Sequence, residues 1–405
     1  MSTIYRQPIQ EESAFQDASL DAFSRLRVSD KTCLFDAQHH YGQQTFNFRG
    51  VATTGGTLTD APNTSSLTLA VTGTVGSKYV NRSKRHYYIA GQSHMIMLTG
   101  AFGTTLAGIR KSIGYNDNDD GIRFENIGGV VSIVMRTSTS GTHVDTPIAQ
   151  STWNVDKLDG SGPSGITIDW TKAQIFAFDL QYLGVGRVRC YVDIDGLLVK
   201  VHEIKNANNI STVYWQTPHL PCSYEIENLA SATGDSFSQI CSSVYTEGSL
   251  PSPSVKKSIS NEVTGIVAAN GVHTHVLSIR PAALFKTRAN KGMIVPLYIT
   301  IYNAGTSAAI YHLLENATLT TPTWIAQGDV DSIAEVCRAA GGFTGGKLRV
   351  SGVGSNATGS SQRLTEFTYQ LQIDPSNVPD VLTIVAAGIG GTATVYAAIT
   401  WNEFY

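Results

Sequence analysis

The chain has 405 residues, 42% of them hydrophobic and 15% charged, with a formal net charge of −3. That apolar content supports packed cores and argues against disorder, and a charged fraction well under the roughly 25% usual for globular proteins, with many Thr, Val, Ile and Tyr, favours sheets. The most basic cluster is "NRSKRH" at 81–86, so the electrostatic footprint of a nucleic-acid-binding protein is missing, and no run of about 18 apolar residues predicts a membrane span.

Residues 1–30 read as an N-terminal arm. Glu11, Glu12, Asp17, Asp21, Arg25 and Arg27 interrupt its apolar positions, which excludes a secretory signal and predicts a soluble chain made in the cytosol. Phe15, Leu20, Phe23 and Leu26 beside Arg25 and Arg27 suit an assembly arm. Ordering 30 residues costs about 1–2 kcal/mol each, which docking on a neighbouring subunit would offset; capping the chain's own first domain is the equal alternative.

From residue 31 to 248 turn signals recur between strand-like segments, the cadence of a β-sandwich. Strands are predicted at 93–102, 121–128, 130–138, 174–183 and 187–195. In the last, Val188, Cys190, Val192 and Ile194 share a core face, opposite Arg189, Tyr191, Asp193 and Asp195 on a polar surface. Asp195-Gly196 then signals a hairpin. "NDNDDG" at 116–121 is a polar turn. Asp117, Asp119 and Asp120 make it a weak calcium candidate, but the glutamate that an EF-hand loop requires at its last position is replaced by Ile127, so no metal is expected.

Residues 249–258, with two prolines and flanking serines, read as a linker. Residues 259–405 read as a second β-sandwich ending on a strand, interrupted by one short helix at 329–342 that starts on Asp and stops at Gly-Gly. "GGFTGGKL" has P-loop spacing, but Leu348 replaces the magnesium-binding hydroxyl and the order is helix, loop, strand, so it is a glycine-rich turn. His273 and His275 share a strand face without a third ligand nearby and read as solvent-facing structural histidines. His39 and His40 alternate faces and cannot chelate together.

Cys33, Cys190, Cys222, Cys241 and Cys337 are scattered and form no C-x-x-C pair, so neither zinc nor a disulfide framework is indicated. "LGVGR" lacks the third glycine of a dinucleotide site. No G-x-S-x-G or H-E-x-x-H occurs, and nothing nominates a carboxylate pair for glycoside cleavage. The expectation is therefore a chain that is not an enzyme and needs no cofactor.

"LDAFSRLRVSD", "LFDAQHHYG", "KRHYYIAGQSHMIMLTGAFG", "RKSIGYNDNDDGIRFE", the block from Trp153 to Gly196, and "TPHLPCSYEIEN" together resemble a family of uncharacterised virion-associated structural proteins of tailed bacteriophages and related aquatic viruses, over roughly residues 18–230. Residues 174–204 are also similar to jelly-roll, laminin-G and concanavalin-like sandwiches. The resemblance implies a virion structural protein, an accessory component of the capsid surface, vertex or neck. Its implied partners are other virion proteins and further copies of itself. The alternative is a carbohydrate- or receptor-binding module of a tail or head fibre that contacts a host-surface glycan. Trp153, Trp170, Trp215, Tyr115 and Tyr182 are its candidate glycan contacts, against a core-filling role for the same rings.

Overall fold

The computed structural model describes residues 20–21, 30–248, 255–355, 358–364 and 370–405. The chain divides into two compact units, Met1–Pro251 and Ser252–Tyr405, and both are antiparallel β-sandwiches of the jelly-roll type.

In the N-terminal unit, eight described strands form one sheet. Its order is Leu197–Ile204, Val188–Ile194, Ala173–Leu180, His94–Ala101, Asp235–Glu247, Ser66–Val71 and Thr57–Ala61, with Lys31–Ala37 also on Asp235–Glu247. The facing sheet has seven, in the order Val144–Ala149, Val130–Thr137, Gly121–Ile127, Ile109–Asn116, Pro221–Asn228, Lys78–Arg85 and Phe48–Thr53. Period-two alternation places one residue of each adjacent pair inside. Ile96, Leu98, Phe176, Phe178, Cys190 and Val192 from the first sheet thus meet Ile113, Tyr115, Ile122, Phe124, Tyr224 and Ile226 from the second in one core. Asp195 and Gly196 both take positive φ, 54° and 85°, as a tight hairpin between Ile194 and Leu197 requires.

The outer face of the eight-stranded sheet is not the polar surface that alternation predicts. Arg189 and Tyr191 are buried, and Tyr191 joins Met95 and Ala177, with Met97 and Leu198 packed alongside. Burial of the guanidinium is tolerated because Arg189 pairs with the equally buried Asp179 and donates through Nη2 to the Leu20 carbonyl at 2.9 Å. This described part of the arm lies on its own domain. Phe15, Phe23, Arg25, Leu26 and Arg27 lie outside the described residues.

The C-terminal unit packs a five-stranded sheet, Val255–Ser260, Ala393–Phe404, Met293–Asn303 and Thr358–Arg363 with Ile266–Ala268, against a six-stranded one. The latter runs Ile325–Ala326, Ala334–Cys337, Thr274–Pro281, Leu382–Ile389, Ala308–Glu315 and Lys347–Gly354. Trp401 is fully buried in its core, its indole N–H donating to Glu403 at 2.8 Å.

Three expectations change here. The helix at 329–342 is absent. Asp329 closes a local turn onto the Asp331 amide at 2.9 Å, Glu403 takes the Ile333 amide at 3.0 Å, and Ala334–Cys337 pairs as a strand with Ser278–Pro281. Long-range pairing overrides a modest helix propensity. Of the expected linker, residues 255–258 belong to an edge strand paired with the C-terminal strand, and 249–254 lie outside the described residues. His275 is buried rather than solvent-facing, bonded to Ser278 Oγ at 2.9 Å beside an irregularity in the strand register. His273 instead stacks on His312 at 4.3 Å.

Candidate functional site

The aromatic residues singled out from the sequence do not form a glycan platform. Trp153, Trp215 and Tyr115 are 3%, 0% and 0% exposed. Trp170 is half-buried, lies parallel to Phe176 and donates its indole N–H to Gln150 Oε1 at 2.9 Å. Tyr182 stacks on Trp215 and donates to its carbonyl at 2.8 Å. The reason is energetic: these rings bury more apolar surface than any other side chain, and the sandwich ends take them.

The "NDNDDG" turn is likewise committed. Asp117 Oδ1 accepts the Asp119 and Asp120 amides at 2.8 Å each, and its Oδ2 pairs with Arg85 at 2.8 Å. Asp120 accepts from the Ser138 amide at 3.0 Å and the Gln216 amide at 3.2 Å. Among the described residues no group of three His, Cys, Asp or Glu side chains is placed to hold a metal.

The outer face of the seven-stranded sheet carries a lattice of charge. Glu225 receives Lys78 at 2.9 Å, Arg110 at 2.6 Å and Arg82 at 3.8 Å. Farther along, Arg123 contacts Glu125 at 2.8 Å and Asp145 at 2.9 Å, and Arg136 reaches Asp145 at 2.7 Å. Burial alone would raise the Glu225 pKa, but the three cations outweigh it and hold it at about 2. Burial opposes the ionised form of Asp145 too, and Arg136 and Arg123 hold its pKa well below the usual carboxylate range. Both remain ionised at neutral pH.

A more open site lies on the loop leaving Lys31–Ala37. Asp36, Gln38, His40, Tyr41, Gly42, Gln43 and Gln44 line a cavity of about 420 Å³, within the range of small-ligand sites. Tyr41 stands on it fully exposed, at 103% of its reference surface. The loop is nevertheless pinned. Gly42 has φ +85°, and a Cβ there would sit 2.3 Å from the Asp60 carboxylate; its amide closes a turn on the His39 carbonyl at 3.2 Å. Gln43 Nε2 donates to Asn81 at 2.8 Å, Asn81 to Gln239 at 2.8 Å, and Gln239 to His39 Nε2 at 3.1 Å. Burial lowers the His39 pKa and keeps that ring neutral as the acceptor. His40 bridges Gln38 Oε1 at 2.9 Å and Ser65 Oγ at 3.0 Å. In the sequence His39 and His40 raise the question of metal chelation, which their alternation answers in the negative. The signal the loop held was the density of amides, imidazoles and one tyrosine in "DAQHHYGQQ".

No family model and no curated protein matches the sequence. Solved structures similar to the chain include an endo-1,3-beta-glucanase from Streptomyces sioyaensis, with 9% identity and a TM-score of 0.38, over 54% of this chain and 97% of that one. An endo-beta-1,4-glucuronan lyase from Trichoderma reesei has 12% identity and a TM-score of 0.34, over 54% and 96%. The Emp46p carbohydrate recognition domain has 10% identity and a TM-score of 0.33, over 54% and 97%. The expectation that the chain is not an enzyme is corrected on this finding, since enzymes stand among its structural neighbours. Such distant likenesses assign no activity or ligand to it.

Proposed function

We propose that the chain is a glycan-binding protein that recognises an oligosaccharide through the Tyr41 pocket. The observation that carries this is a fully exposed tyrosine held over a cavity lined by a carboxylate and amides. An aromatic face stacks on the C–H side of a pyranose ring, while Asp36, Gln38 and Gln44 supply acceptors and donors for vicinal hydroxyls. The buried chain of amides behind Gln43 fixes the loop in advance, which lowers the ordering cost of binding. In this reading the chain is the glycan-recognising part of a virion, the setting implied by the sequence resemblance, in contact with other virion proteins and further copies of itself.

The test is a printed array of neutral and sialylated oligosaccharides probed with the full chain. Tyr41→Ala is expected to weaken the strongest signal about tenfold or more, and replacement of the exposed Val330 in the other unit by Ala to leave it unchanged. An unaltered signal from Tyr41→Ala overturns the assignment. An antibody to the chain that fails to label purified particles overturns the virion setting alone.

A further inference from the structure

In the C-terminal unit the outer face of the five-stranded sheet has a composition unlike the rest of the surface. Tyr298, Thr300 and Tyr302 alternate outward along Met293–Asn303, all exposed. Tyr396 stands directly opposite Tyr302 in the ladder, their rings 6.1 Å apart. Tyr298 and Tyr302 are four residues apart on one strand, so their Cα atoms are separated by about 13 Å. Between and beside them the ladder places Ala398, Thr400, Ser361 and Gly359.

Two glycines keep this face flat. A Cβ at Gly265 would meet the Tyr396 ring at 2.9 Å, so the absence of a side chain there is what seats that ring against the sheet. Gly359 places no side chain across from Tyr302. Among the described residues the charges of this face are Lys256, opposite Asn402, and Arg363, the ladder partner of Tyr298 at the end of the strip.

We infer that this face is a second binding site, for a neutral polysaccharide whose pyranose rings lie flat along the Tyr298–Tyr302–Tyr396 strip. The chemistry selects the occupant. A protein partner would be met by an apolar centre, whereas here hydroxyl-bearing and small side chains separate the rings. A charged polymer would need cations between the rings, whereas Arg363 flanks only Tyr298 and the rows of Thr300 and Tyr302 carry Ser361, Ala398 and Gly359. What remains complementary is a ligand with C–H faces for the three rings and hydroxyls for the threonine and serine rows. The site stands on its own residues and does not depend on the Tyr41 reading.

The experiment is affinity electrophoresis of the full chain through gels containing soluble mixed-linkage β-glucan, with polygalacturonate as the charged comparator and light scattering run in parallel. The wild type and Tyr41→Ala are expected to be retarded alike by the β-glucan and not by polygalacturonate. Tyr302→Ala is expected to weaken binding about tenfold, and Tyr302→Phe, which keeps the ring, to stay within about twofold of the wild type. Circular dichroism checks that each variant is folded, and Tyr298→Ala serves if Tyr302→Ala is not. The proposal is overturned if the wild type is not retarded, if polygalacturonate retards it equally, or if the alanine variants migrate like the parent. It is also overturned if light scattering finds a wild-type dimer that Tyr302→Ala converts to monomer, since the strip would then be an interface between copies.

Discussion

The outward face of the seven-stranded sheet in the N-terminal unit and that of the five-stranded sheet in the C-terminal unit are built on the same alternation, yet they are chemically opposite. The first is a lattice in which Glu225 holds Lys78, Arg82 and Arg110, and Asp145 holds Arg123 and Arg136. The second is uncharged at its described centre and carries Tyr298, Tyr302 and Tyr396. A lattice of paired charges turns most of its hydrogen-bonding groups onto one another, so it offers little to a ligand. A row of tyrosines over threonine and serine leaves ring faces and hydroxyls turned to solvent. The lesson is that backbone pairing fixes which residues face outward, and their chemistry alone decides whether that face is self-contained or available.

If the N-terminal unit depends on buried polar groups and the C-terminal unit less so, acid should separate them. Burial depresses the pKa of His86 and His94 to about 3 and of His219 to about 4, and among the described residues neither ring nitrogen of His94 has a hydrogen-bond partner. The C-terminal unit has His275 at about 4 and a lesser depression at the more exposed His312. A histidine whose folded pKa lies below its unfolded value of about 6.5 contributes stability that is fully present above pH 6.5 and is lost as pH falls toward the folded pKa. Lowering the pH from 6.5 to 4 should therefore remove on the order of 8 kcal/mol of stability from the N-terminal unit and less from the C-terminal unit. Urea titrations across this range, followed by fragment-resolved hydrogen exchange, should show the N-terminal unit opening first. His94→Gln should remove about one proton from the pH slope. Simultaneous opening of both units, or an unchanged slope, would break the comparison.

The charged lattice makes the second prediction. Glu225→Ala leaves Arg82 buried without its carboxylate and should cost about 3–5 kcal/mol. Adding Arg82→Leu should restore a substantial part, because the uncompensated charge is gone. Equilibrium denaturation of the single and double variants checks both. A double variant no more stable than the single one would mean that the loss falls on Lys78 and Arg110, the closer partners of Glu225, and not on Arg82.

Much of the architecture was legible because it is local. Val188, Cys190 and Val192 alternate into the core as their period requires, and Asp195-Gly196 turns the chain between them and the returning strand. The helix expected at 329–342 failed because Ala334–Cys337 is held by a strand more than 50 residues earlier in the chain, a partner no local window contains. Arg189 and Tyr191 were assigned to solvent because alternation reports side, not cover; what buries them includes Asp179 and Leu20. The candidate site was the least legible part. Tryptophans drew attention through their size, which is the property that sends them into the core. Tyr41 gave no periodic signal, and the chain of amides behind it joins Gln43, Asn81, Gln239 and His39 across about 200 positions.

The smallest expected effect on stability falls at that same tyrosine, and it is the sharpest test of the distinction between a self-contained and an available surface. Tyr41 covers no neighbour, since its whole reference surface is exposed, and the turn that carries it is fixed by Gly42 and by the Gln43 side chain rather than by the ring. Tyr41→Ala should thus change the free energy of unfolding by no more than about 0.5 kcal/mol, as surface substitutions away from packing usually do, while removing glycan recognition. Denaturation curves that superimpose on those of the parent, together with a lost array signal, would place the residue in recognition alone. A loss of 1 kcal/mol or more (roughly a fivefold change in the folding equilibrium) would show that the ring packs on its loop, and the pocket would then be a structural feature of the Lys31–Ala37 edge, as closed in its own way as the charged lattice.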